Sequence, residues 1–176
     1  MDLNNCSSSI IDITGLCCPK DTSVVLQKYP YWMQMYIPET LCIPPQKPDV
    51  EEINSVNIQV NILRTKVIKT PIASENLEGK VLTGRKLIVE GQLCQKVVYT
   101  ALDEEQSVHS AHFYVPFSSY IVVPTSIPFN GENVDSFDIN YQVNTCVEDL
   151  SINLINERCF LKNVTLLLSA VPTQLC

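Results

Sequence analysis

The chain has 176 residues, 45% of them apolar and only 18% charged, so it is long enough to bury one sizeable core and takes much of its polar surface from Asn, Gln, Ser and Thr. A formal net charge of -7 leaves no basic stripe for nucleic acid and disfavours anionic membrane surfaces. No apolar run approaches the roughly 20 residues needed to insert across a bilayer as a helix.

Residues 1–30 hold Cys6, the run Ser7-Ser8-Ser9, Gly15, the vicinal pair Cys17-Cys18 and Pro19, with a single short apolar run at Val24–Leu26. This composition predicts an extended or flexible cysteine-bearing arm, either a frayed terminus or, as three cysteines in the first eighteen residues favour, an arm that leaves its own domain and is fixed to a neighbour. The opening MDLNNCSSSIIDITG is acidic and has no apolar h-region, so a secretory signal is not expected. Eight cysteines, by contrast, point to an oxidising destination, and any account of function has to reconcile the two.

The segment Tyr29–Ile43 is aromatic-rich and carries the single Trp, and Pro30 and Pro38 restrict it to an edge strand or an extended strap. PPQKPDVEEI follows. Its Asp49, Glu51 and Glu52 raise the question of a cation site, and a solvated turn is the favoured reading. From Val56 the alternation of Val56, Ile58, Val60 and Ile62 with Asn57, Gln59 and Asn61 predicts a strand. After the loop PIASENLEGK, the stretch Gly79–Pro124 organises the rest. Leu87, Val89, Leu93, Val97 and Tyr99 share one face, Asp103-Glu104-Glu105 turns the chain, and Ala111, Phe113, Val115 and Phe117 return on the same face as a long hairpin.

PTSIPFNGENVDS reads as a loop. Phe137, Ile139, Tyr141, Val143 and Val147 then alternate on odd positions, whereas Leu150, Ile152 and Leu154 continue on even ones, which predicts a bulge near Glu148–Asp149. A turn at Asn156–Cys159 leads into Phe160, Val164, Leu166, Leu168 and Ala170. With no sustained 3.6-residue pattern, the fold expected is all-β, an antiparallel β-sandwich of about seven or eight strands over residues 31–176.

Catalytic chemistry finds little support. His109 and His112 fall on opposite faces of a strand and cannot share a metal, and Cys94 lies on the same hairpin without a recognisable catalytic environment. No CxxC, HExxH, GxSxG or phosphate loop is present. The expectation is a protein that is not an enzyme, with no catalytic residues, cofactor or metal. Covalent cross-linking is the chemistry that remains. Cys6, Cys17, Cys18 and Cys176 sit in terminal segments and are the candidates for disulfides between subunits; Cys42, Cys94, Cys146 and Cys159 are further disulfide candidates whose pairing the residues leave open.

Several segments in combination resemble the SPOCS domain of spore-coat and spore-morphogenesis proteins of clostridia and related spore formers. They are ETLCIPPQKPDVEEINSVNIQVNIL at Glu39–Leu63, the strand GRKLIVEGQLCQKVVYTA, the return HSAHFYVPFSSYIVVP and the closing NERCFLKNVTLLLSA. The resemblance covers Tyr31 to Val171 and implies a non-enzymatic role in the spore envelope, with no functional residues to carry over. Adaptors of the family commonly bear a C-terminal LysM module, and the sequence lacks one, so a building block of a coat layer or appendage fibre is expected. A coat protein is made in the mother-cell cytosol without a signal and meets oxidant when that cell lyses. The expected partner is the chain itself, as a head-to-tail homopolymer, with other spore coat proteins as further partners; the alternative is a monomeric adaptor that recruits one coat or cortex protein through the hairpin face or the aromatics of Tyr29–Tyr36.

Overall fold

The computed structural model describes residues 11–17, 26–129 and 131–175. Among them the chain forms β1 (Asp12–Thr14), β2 (Trp32–Cys42), β3 (Val50–Ala73), β4 (Leu82–Ala101), β5 (Val108–Val123), β6 (Ser126–Phe129), β7 (Glu132–Asp135), a 3-10 turn at Ser136–Asp138, β8 (Ile139–Leu154) and β9 (Cys159–Leu175). Two sheets result, ordered β1-β3-β4-β5 and β2-β9-β8, with β6 and β7 pairing separately as a short hairpin.

Alternation builds the first sheet as the sequence predicts. Leu87, Val89, Leu93, Val97 and Tyr99 on β4 are at most 2% exposed, while Lys96 between them faces water. β5 returns antiparallel, Val97 opposite Ala111 and Leu93 opposite Val115. The second sheet meets this face with Phe160, Val164, Leu166, Leu168 and Ala170 of β9, all at 0% exposure. One hydrophobic cluster joins the two inner faces, as in a sandwich. Each fully buried Val or Leu in it contributes about 1.5–3 kcal/mol, and Phe113 on β5 meets Phe160 on β9 edge to face with ring centroids 5.5 Å apart.

The expected bulge is present: the register of β8 on β9 shifts between Val147 and Asp149. β2 is an edge strand, as Pro30 and Pro38 required, with Pro38 opposite Asn163 of β9. Three elements differ from expectation. β3 begins at Val50, before the alternating stretch from Val56, and runs to Ala73 into the segment expected as the PIASENLEGK loop, so Glu51 and Glu52 lie within it and Asp49 just before it rather than in a free turn. The PTSIPFNGENVDS segment closes into the β6–β7 hairpin instead of remaining a loop, with Ile127 opposite Val134.

The third concerns the N-terminal segment. Residues 11–17 do not leave the domain. β1 pairs in parallel with β3, Ile13 opposite Val56, and Ile11 and Ile13 pack against the core, because their spacing of two puts both on its inward side. This pair is parallel, where an antiparallel arrangement was expected throughout. Gly15 then takes φ +100°, and a Cβ there would collide with the carbonyl oxygen of Ile58, so only glycine lets the chain turn this close to β3. Past the turn, Cys17 N–H donates to the Val147 carbonyl of β8 at 3.0 Å. Residues 11–17 thus lie across one flank of the sandwich, from the edge of one sheet to the edge of the other.

Candidate functional site

The eight cysteines separate into distinct settings. Cys42 and Cys159 are register partners at the ends of β2 and β9 and form a cross-strand disulfide with Cα atoms 4.0 Å apart. Cys17 is bonded to Cys146 of the same chain, Cα atoms 5.3 Å apart, which fastens the N-terminal segment to β8 beside the bulge. The expectation that Cys17 reaches a neighbour is corrected, because the turn at Gly15 carries it to Cys146. Cys94 is a free thiol on the outer face of β4, where Asn61 Nδ2 donates to its sulfur at 3.3 Å. Cys6, Cys18 and Cys176 lie outside the described residues.

A guanidinium clamp sits next to the Cys42–Cys159 bond. Asn156 Oδ1 accepts from the backbone N–H groups of Arg158 and Cys159 at 2.9 and 2.8 Å, setting the turn that precedes β9. The Arg158 side chain then donates to the Asp49 carboxylate and to the carbonyls of Ile43, Pro44 and Lys47, the last three at 3.3, 2.8 and 3.1 Å. Asp49 is therefore an ion-pair partner, and Glu51 accepts from Gln106 Nε2 at 2.9 Å at the hairpin tip, so these two acidic residues serve separate contacts. His109 stacks on the inward-facing Tyr99 with ring centroids 5.9 Å apart, whereas His112 is exposed on the other face, as alternation demands.

Several large side chains face outward. Trp32 and Tyr36 are four residues apart on the edge strand β2, 48% and 60% exposed. On the hairpin, Tyr120 lies beneath the Lys86 ammonium, 3.8 Å from ring centre to Nζ. Beside it Val81, Leu82 and Val122 line an open cleft of about 360 Å³.

The sequence reading missed a polar cluster in the middle of the core. Lys162 on β9 has 0% exposure, and its Nζ lies 2.5 Å from Glu39 Oε2 of β2, its register partner. The same ammonium donates to Gln95 Oε1, which reaches across from β4 in the opposite sheet, and Gln95 Nε2 donates back to Glu39 Oε2 at 3.2 Å. Glu39 Oε1 is buried and meets no donor among the described residues. Burial pulls the Lys162 ammonium below its ordinary value, against the opposing hydrogen bond and charge of Glu39. A signal for the cluster does exist in the sequence: each residue occupies an in-phase core position, Glu39 after Ile37, Gln95 between Leu93 and Val97, and Lys162 between Phe160 and Val164.

A family model described as SipL, SPOCS domain, matches residues 49–155, more than half of the chain. The match spans β3 to β8 and stops short of β9, the strand that completes the second sheet. No curated protein and no solved structure matches the chain. No helix among the described residues is long and apolar enough to cross a membrane. With the family match laid over a sandwich whose inward positions bear out the alternation of the motifs, the chain belongs to the SPOCS domain family of sporulation-related proteins.

Proposed function

We propose that this protein is a self-assembling structural subunit of the spore surface, in a coat layer or an appendage fibre, locked between subunits by disulfides. The observation that carries this reading is the way residues 11–17 are held. They join the domain as an added edge strand, through three residues of parallel pairing, one backbone hydrogen bond to β8 and one disulfide. A segment attached in this manner makes bonds that an identical segment of a neighbour can make equally well, which is the basis of strand addition and of domain swapping. Beyond Asn57 the long β3 pairs on only one side among the described residues, and such an edge is a template for further strands.

The cysteines fit the same reading. Cys17–Cys146 and Cys42–Cys159 brace the domain, and Cys6, Cys18 and Cys176 are the candidates for bonds to neighbours. In a head-to-tail contact that does not close, each added copy exposes the next acceptor edge and a fibre grows. Non-covalent assembly in the mother cell followed by oxidation at lysis reconciles the cysteine content with synthesis in a reducing compartment.

Exposed Trp32 and Tyr36 and the apolar cleft beside Tyr120 support the second reading, a monomeric adaptor for another coat protein. Electron microscopy of the purified protein beside non-reducing gels separates the two. Ordered polymers that survive boiling in detergent and collapse to monomer with reductant are expected, and deletion of residues 1–20 is expected to leave a folded domain that no longer polymerises. Monomer in both lanes with an empty grid overturns the structural reading in favour of the adaptor.

A further inference from the structure

The cluster of Lys162, Gln95 and Glu39 combines a primary amine, a carboxamide and a carboxylate, enclosed between the two sheets. As a plain ion pair it is a poor stabiliser: removing two charges from water costs several kcal/mol per ion, and packed apolar residues of similar volume usually serve as well or better. Its parts are, however, those required for amide exchange. The amine touches the carboxamide, and a single carboxylate oxygen, Glu39 Oε2, touches both the amine that must lose protons and the amide nitrogen that must gain one.

We infer that Lys162 and Gln95 are joined by an isopeptide bond that the folded protein forms on itself, with Glu39 carrying the protons and ammonia leaving.

The bond changes balance without any outside reactant. Lys162 Nζ gives a proton to Glu39 Oε2, and the freed lone pair forms a bond to Cδ of Gln95 while the carbonyl electrons move onto Oε1. A second proton from Nζ passes by way of Glu39 to Nε2. The Cδ–Nε2 bond then breaks, the carbonyl re-forms, and the nitrogen leaves as ammonia, which takes up the remaining proton as ammonium. The net reaction converts a lysine ammonium and a glutamine carboxamide into a secondary amide and ammonium, with nothing oxidised or reduced.

Three features of the core favour it. Burial holds the amine toward its uncharged, nucleophilic form. The reacting groups are fixed side by side by strand register, Lys162 opposite Glu39 within one sheet and Gln95 facing them from the other, and such fixed placement is worth effective molarities on the order of 10⁵–10⁸ M. Water is excluded at 0% exposure of Lys162 and 3% of Gln95, so hydrolysis does not compete, and escape of ammonia to solvent makes the step one-way. The product ties β4 to β9, each of which has a paired strand on both sides in its own sheet.

The test is the mass of the full chain, fully reduced and denatured. A loss of about 17 Da, one ammonia, is expected, together with a digestion product in which the peptide containing Gln95 remains attached to the peptide containing Lys162. Lys162→Met and Glu39→Gln are expected to show the full mass. The wild-type chain supplies its own control for variants that fold poorly: held unfolded from the start it should keep the full mass, then lose ammonia after refolding at a rate independent of protein concentration. Full mass in the folded wild type overturns the inference and leaves a buried ion pair. So does a loss that persists in Lys162→Met or maps to an asparagine-derived succinimide.

Discussion

Removing the two in-chain disulfides, singly and together, should give costs that exceed their sum. On the chain-entropy account, a bond that closes a ring of n residues stabilises by the temperature times about 2.1 + 1.5R ln n cal/mol/K. Cys42 and Cys159 are 117 residues apart, so their bond alone is worth about 5 kcal/mol. With Cys17–Cys146 in place the ring is smaller. It runs about 25 residues from Cys17 to Cys42 and about 13 from Cys146 to Cys159, roughly 38 in all, and the bond is then worth about 4 kcal/mol. Exchanging the two bonds gives the same ring. Each pair of Cys→Ala changes should therefore cost about 4 kcal/mol and the quadruple change about 9, an excess of about 1 kcal/mol over simple addition. The cavity left at buried Cys146 enters the single and the combined variants alike and cancels from the excess. Urea unfolding of Cys42→Ala/Cys159→Ala, Cys17→Ala/Cys146→Ala and the four-fold variant, all in a Lys162→Met background where no Gln95–Lys162 bond shortens the rings, measures all three quantities without reductant. Strict additivity, or a single-pair cost below about 1 kcal/mol, refutes the linked-ring argument. Against a total stability of about 5–15 kcal/mol, the expected sum implies a reduced domain close to its unfolding threshold.

Gly15→Ala introduces a Cβ against the Ile58 carbonyl and forces a strained φ, so residues 11–17 should lift from β3 and the Cys17–Cys146 bond should fail to form; disulfide mapping checks this, and a native bond in the variant refutes the role given to the turn. Arg158→Met takes this donor from the Asp49 carboxylate and from the carbonyls of Ile43, Pro44 and Lys47, of which Pro44 keeps the Lys47 N–H, and should lower stability by about 1–3 kcal/mol in urea unfolding. Arg158→Lys should recover little of that loss, because one ammonium cannot span the same fork of acceptors.

What could be read in advance followed from burial on one face. Where a strand has one dry and one wet side, apolar and polar residues alternate, and β4, β5 and β9 announce themselves; a slip in that alternation at Val147–Leu150 was enough to locate the bulge. The far half of β3 was not legible for the converse reason. Leu63, Arg64, Thr65 and Lys66 are all exposed, so pairing with β4 is fixed by backbone hydrogen bonds that leave no pattern in the side chains. Cysteine pairing was beyond reach because the partners are 117 and 129 residues apart and meet only through the tertiary fold. The Glu39–Gln95–Lys162 cluster is masked by its apolar neighbours, since each of the three is one polar position in an otherwise dry face, yet that in-phase placement marks a side chain the core must accommodate.

The position of β9 bears on the order in which the molecule is made. β3, β4 and β5 are consecutive neighbours and can zip together as the ribosome delivers them, whereas β2 and β8 acquire their shared neighbour only when β9, the last of the described strands, slides between them. Until then a half-built sandwich carries an uncovered apolar sheet and two strands in waiting. Cys42 and Cys159 come opposite each other only through that insertion, so under oxidising refolding their bond records that β9 has arrived in register, and refolding intermediates separated by the state of this one bond would sort finished domains from unfinished ones.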